Sequence, residues 1–125
     1  MSGKLLLFGF EALPAILAVE AAVGPLGVEV VPVGRADYNK PLEVLAGLDA
    51  DPGAAMPFAG QTLGGRMLVL CGMDGRMNAL LSALRQAGVG PDCLKAVLTP
   101  HNRKWNPLML YAELQREHQA LRGGQ

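Results

Sequence analysis

Residues 95–118 read KAVLTPHNRKWNPLMLYAELQREH, and the succession of side-chain types there decides how the chain folds. Leu94 to Thr99 is a short apolar run broken once, by Lys95, as in a strand at a sheet edge. Asn106-Pro107 then opens a helix. Asparagine is a strong N-cap, and proline at the first helical position gives up only an N–H that lacks a partner anyway. Leu110, Tyr111, Leu114 and Leu121 recur on one helical face, while Glu113, Arg116 and Glu117 face water. Between strand and helix lies a polar connector, Thr99 to Asn106, with the only tryptophan, one of the two histidines and two adjacent cations.

The same form recurs upstream. Met67 to Met73 is an apolar run ending near glycine, typical of a strand buried on both faces. Asp74 is placed to cap a helix over Arg76–Ala87, whose apolar face is Met77, Leu80, Leu81 and Leu84 and which Gly88 ends. In the first half, Lys4 to Phe10 is a strand, Pro14 to Val23 a helix, Val28 to Gly34 a strand and Pro41 to Leu48 a short helix. Pro32 removes a ladder donor, which points to an edge. Leu-Leu-Phe-Gly-Phe-Glu in the first unit answers to Val-Leu-Cys-Gly-Met-Asp in the second, and both connectors end in Pro-Leu. This predicts a single domain over residues 1–125, built of two strand–helix–strand–helix repeats at 4–48 and 67–121. Residues 49–65, rich in glycine and proline, read as a long loop pinned by Phe58.

Alternating strands and helices imply a three-layer α/β domain with a mainly parallel sheet. The oiliest strands, first and third, belong in the centre and the interrupted ones at the edges, giving the order 2-1-3-4. A ferredoxin-like α+β sheet is the alternative, and it needs one strand reversed. In a parallel sheet a ligand binds beyond the carboxyl ends of the strands. The residues there would be Gly9-Phe10-Glu11, Arg35-Ala36-Asp37, Gly72-Met73-Asp74 and the tryptophan connector.

Composition narrows the function. Half the residues are hydrophobic, and 11 basic residues balance 11 acidic ones. Such a chain folds, and it lacks the positive field expected of a nucleic-acid or anionic-membrane binder. No run is long enough to span a bilayer and no signal peptide is recognisable, so a cytoplasmic protein is expected. Cys71 reads as a buried hydrophobe and Cys93 as partly exposed; their spacing supports neither a metal nor a redox site. There is no phosphate-binding glycine motif and no nucleophile motif, so no cofactor and no metal are expected. The helix Pro14–Val23 is apolar on nearly every side, which suggests a homodimer contact.

Thr99, His101, Asn102, Arg103, Lys104 and Trp105 form the candidate ligand site. Arg103 can hold a carboxylate or phosphate through two bonds, Trp105 can stack on a flat ligand, and His101 can move a proton. The bland reading is that Trp105 fills a gap between helices while Asn102 and Asn106 cap turns. A binding or regulatory domain for a small anion or a protein partner leads. A hydrolase or transferase using His101 with Glu11, Asp37 or Asp74, and a structural subunit of a larger complex, are the alternatives.

LKAVLTPHNRKWNPLMLYAELQREH, with MLVLCGMDGRMNALLSALRQAG before it, resembles a small uncharacterised bacterial family, domain of unknown function 3783, mainly over residues 67–118. The matching positions are Ala96, Val97, Thr99, Asn102, Trp105, Glu113, Leu114, Glu117 and His118. The resemblance implies no activity. It adds Glu117 and His118 to the residues of interest, although a solvated histidine is the plainer reading of His118.

Overall fold

A computed structural model describes residues 3–48, 57–72, 77–90 and 93–123, with side chains described as far as Gln119. The strands are β1 (Gly3–Phe8), β2 (Val28–Val33), β3 (Met67–Cys71) and β4 (Leu94–Val97). The helices are α1 (Leu13–Val23), α2 (Leu42–Leu45), α3 (Met77–Gln86) and α4 (Pro107–Gly123). The expected cap Asp74, Met73 and Arg76 and residues 49–56 of the loop lie outside the described residues, and Leu121 of the α4 stripe lies beyond the described side chains.

The four strands form one sheet in the order β2-β1-β3-β4. Period-two alternation splits its side chains between two apolar clusters, as pleating requires. Leu5, Leu7, Leu68 and Leu70 join Val19 and Val23 of α1 and Leu80 and Leu84 of α3. Leu6, Phe8, Met67 and Val69 join Leu42 of α2 and Leu110 and Tyr111 of α4. Leu5, Leu6, Leu68 and Val69 have no exposed surface, and burying each contributes about 1.5–3 kcal/mol. The interrupted strands are the edges, as Pro32 and Lys95 suggested; Lys95 Nζ donates to the Gly90 and Cys93 carbonyls at 3.2 and 2.9 Å.

Strand direction corrects the sequence expectation. β1 runs parallel to β2 and β3 parallel to β4, but β1 and β3 are antiparallel, with Lys4 opposite Cys71 and Phe8 opposite Met67. The sheet is mixed, not mainly parallel. The ferredoxin-like alternative needed one reversed strand; here β3 and β4 are reversed together. An all-apolar central strand buries equally well in either direction, so its composition carries no directional information. The connection carries it. α2 has only four residues, about 6 Å of rise, and no described helix of sheet length lies between β2 and β3. β3 starts at the rim where β2 ends, and the right-handed crossover rule, which governs parallel connections, does not bind it.

Smaller differences have local causes. Cys93 is buried, 4% exposed, because it packs in the apolar cluster with Leu80, Leu84 and Val89. β1 ends at Phe8, where Gly9 takes φ +80°. Asn106 caps α4 as expected, its Oδ1 accepting the Met109 N–H at 2.9 Å. Phe58 does pin the loop, its N–H donating to the Ala36 carbonyl at 3.0 Å and its ring tilting against Tyr38. On α1, Leu13 and Leu17 are 63% and 52% exposed, so one apolar side of that helix is uncovered within this chain. None of the described helices is long and apolar enough to cross a membrane.

Cys71, in β3, allows a direct check on the core. Burial pushes its thiol up to about 11, with Lys4 pulling weakly the other way. At pH 8 on the order of one molecule in a thousand carries the thiolate, so a thiol reagent should label native Cys71 only as fast as the fold opens. The folded state holds this proton more tightly than the unfolded chain, whose thiol titrates near 9.0. Its contribution is complete below that value and is lost as pH rises toward 11. Burial also raises the Tyr38 phenol, in the same direction. The melting temperature should therefore fall as pH rises through this window, and a flat profile there would contradict the burial of Cys71.

Candidate functional site

The antiparallel β1–β3 pair divides the strand-end residues between opposite rims. Gly9, Phe10, Glu11 and Arg35 follow the carboxyl ends of β1 and β2. Thr99 to Asn106 follows β4, beside the amino end of β1. The sheet thus separates His101 from Glu11 and Asp37, two of the acids considered as its catalytic partners. The third, Asp74, lies outside the described residues.

On the connector rim the polar groups bind one another. Asn102 is buried, its Oδ1 accepting the Thr99 N–H at 2.9 Å and its amide donating to the Val97 carbonyl at 3.1 Å. Its own N–H donates to Thr99 Oγ1 at 3.3 Å. This closes the turn that β4 cannot close, since a strand end leaves backbone groups without ladder partners. Trp105 is half-buried against the α4 side of the core, and His101 meets its ring edge-on with centroids 5.2 Å apart.

Arg103 and Lys104, the cations read as an anion grip, already have a carboxylate. Glu43 in α2 is 6% exposed and lies 3.5 Å from Arg103 Nε and 3.1 Å from Lys104 Nζ. Its backbone N–H donates to the Arg103 carbonyl at 2.9 Å, and that of Leu42 donates to the Trp105 carbonyl at 2.8 Å. Lys4 Nζ adds a bond to the Ala46 carbonyl at 2.8 Å. The connector therefore fastens α2 to the rim, and Glu43 offsets one of its two positive charges. Glu113 is hydrogen-bonded to Arg116, which holds its carboxyl below the usual range, with a smaller electrostatic pull from His101. Glu117 and His118 are exposed on α4.

The opposite rim holds a cleft of about 470 Å³ at the carboxyl ends of β1 and β2. Gly9, Phe10, Pro32, Val33 and Tyr38 line it together with Leu63, Gly64, Gly65 and Arg66, and Glu11 and Arg35 also line it. Gly9 with positive φ lets the chain turn off β1 against the Gly65 carbonyl; a Cβ there would lie 2.5 Å from that oxygen. Arg66 stands over the Phe10 ring, its guanidinium carbon 4.6 Å from the centroid. Tyr38 is buried, and its phenol is raised first by burial and further by the charge of Glu11, while a hydrogen bond with the Gly9 backbone opposes the shift. Among the described residues, no carboxylate pairs with Arg35 or Arg66. A second cavity of about 510 Å³ lies beyond the Gly64–Arg66 segment and reaches Tyr111.

Sequence reading had Gly9, Phe10, Glu11 and Arg35 among the strand-end residues but missed Arg66. A Gly-Gly-Arg immediately before a strand is a signal only once that strand is known to start on the rim where β1 ends. Among the described residues, no cluster of histidine, cysteine, aspartate or glutamate has the arrangement to hold a metal ion.

Architecture and cleft together define a mixed α/β domain with an arginine-bearing cleft at one rim. Residues 66–121, from Arg66 at the cleft through the connector to α4, match the family described as Domain of unknown function (DUF3783). No curated protein and no solved structure matches the chain.

Proposed function

We propose that the chain is a small-ligand-binding domain that holds an anionic group in the cleft at the carboxyl ends of β1 and β2. The observation that carries this reading is the pair Arg35 and Arg66, which line one concave site without a carboxylate partner among the described residues. Arginine in such a position presents a planar set of donors suited to carboxylate or phosphate. The cleft volume falls in the range of about 300–1,000 Å³ common for small-molecule sites. In this reading Thr99, His101, Asn102, Arg103, Lys104 and Trp105 build and brace the opposite rim, and the chain binds its ligand without transforming it.

Calorimetric titration with inorganic phosphate, pyrophosphate and a panel of short carboxylates tests the reading. At least one probe should bind. Arg35→Ala and Arg66→Ala should each weaken it roughly 10- to 100-fold, the loss expected when a charge-assisted hydrogen bond of about 1.5–3 kcal/mol is removed. Arg103→Ala should leave the affinity unchanged. Silence from every probe, or affinity insensitive to both cleft arginines, would count against the cleft.

A further inference from the structure

The cleft holds a third charge of opposite sign. Glu11 lines it with Arg35 and Arg66, yet among the described residues none of the three takes part in an ion pair. Opposite charges facing one cleft without closing on each other leave each available to a ligand. Glu11 is exposed, and its charge reaches the buried Tyr38 phenol on the cleft wall, so its field extends into the site. The remaining walls include the apolar side chains Val33 and Leu63. A simple anion would satisfy the arginines but would be repelled by Glu11 and would leave the apolar wall wet.

We propose that the ligand class is the free α-amino acid with an apolar side chain. Its carboxylate would lie toward Arg35 and Arg66, its ammonium toward Glu11, and its side chain against Val33 and Leu63. This inference rests on the anion-binding reading above and adds the ammonium subsite and the apolar wall. A zwitterion is the smallest species that answers both signs of charge at once. Burying its aliphatic part against this wall removes apolar surface from water, which favours binding.

The test titrates L-leucine against 4-methylpentanoate, which has the same skeleton without the amine, in the native chain and in Glu11→Gln. Leucine should bind the native chain at least tenfold more tightly than 4-methylpentanoate. Glu11→Gln should abolish that preference while leaving, or improving, affinity for the simple carboxylate. Because Glu11 is exposed, the substitution should leave the melting temperature unchanged, which circular dichroism verifies. If both compounds bind equally in an Arg35-dependent manner, the amino-acid inference is overturned and the anion-binding reading stands. If leucine is preferred but indifferent to Glu11→Gln, the ammonium subsite is wrong. If neither compound binds, this inference fails outright; whether phosphate or pyrophosphate still binds through Arg35 and Arg66 decides the anion reading separately.

Discussion

Replacing Gly9 with alanine should destabilise the native state by about 2–5 kcal/mol, the largest loss expected from adding a single methyl group to this chain. Two costs combine. Gly9 sits at φ +80°, a conformation that strains any residue with a Cβ by about 1–2 kcal/mol. The added carbon would also stand 2.5 Å from the Gly65 carbonyl oxygen and 3.3 Å from its carbon. Those are backbone atoms immediately ahead of β3, so relief requires shifting the chain against the sheet rather than turning a side chain aside. The midpoint of denaturant unfolding should drop while its slope stays constant. Since Gly9 and Gly65 both line the cleft, the same substitution should weaken the binding of any ligand held by Arg35 and Arg66. Gly72, whose φ is also positive at +71°, is the natural comparison: a Cβ there would have only the Gly3 Cα nearby, at 3.9 Å. Gly72→Ala should show the conformational cost alone. Equal losses at the two glycines would refute the close approach of β1 and the 64–66 segment.

Asn102→Ala should cost about 2–4 kcal/mol. The side chain answers two backbone groups, the Thr99 N–H and the Val97 carbonyl, and each group left buried without a partner costs about 1–3 kcal/mol. The sum is reduced because the connector is partly solvated and water can reach one of them. The effect should extend beyond stability. The Trp105 backbone N–H donates to the Asn102 carbonyl at 2.9 Å, and the Trp105 carbonyl in turn accepts from the Leu42 N–H of α2. Loosening the turn should shift tryptophan emission to the red, and the chain contains no other tryptophan to confuse the signal. Asn102→Asp keeps an acceptor for Thr99 but loses the donor to Val97, and should fall between the two. Full stability in the alanine variant would mean that the turn is held by Thr99 and Trp105 alone.

These two positions mark what each half of the chain contributes. The family match over residues 66–121 includes the Asn102 turn and Arg66, but Gly9, Glu11 and Arg35 lie outside it. The cleft is therefore assembled from residues within and beyond the matched segment. The connector that gave the sequence its most distinctive pattern bonds to α2 through the Arg103 and Trp105 carbonyls and caps α4 through Asn106. The ion pairing of its cations is not legible locally, because Glu43, their carboxylate partner, lies 61 positions from Lys104 in sequence.

Local chemistry was sufficient to place the elements. Apolar runs ending in glycine, Asn106-Pro107 opening α4, the face of Leu80 and Leu84, Pro32 and Lys95 on edges, and the neighbour order 2-1-3-4 all follow from burial, capping and ladder hydrogen bonds within a few residues. The direction of β3 relative to β1 does not, because Leu68, Val69 and Leu70 are equally well buried whichever way the strand points. That choice belongs to the long return from β2 and to packing on both faces. It sends His101 to one rim and brings Arg66 to the other, beside Phe10, Glu11 and Arg35. Short-range pattern thus specifies strands, helices and their neighbours, whereas the juxtaposition of charges that could hold a ligand depends on contacts between distant segments, which only the folded chain creates.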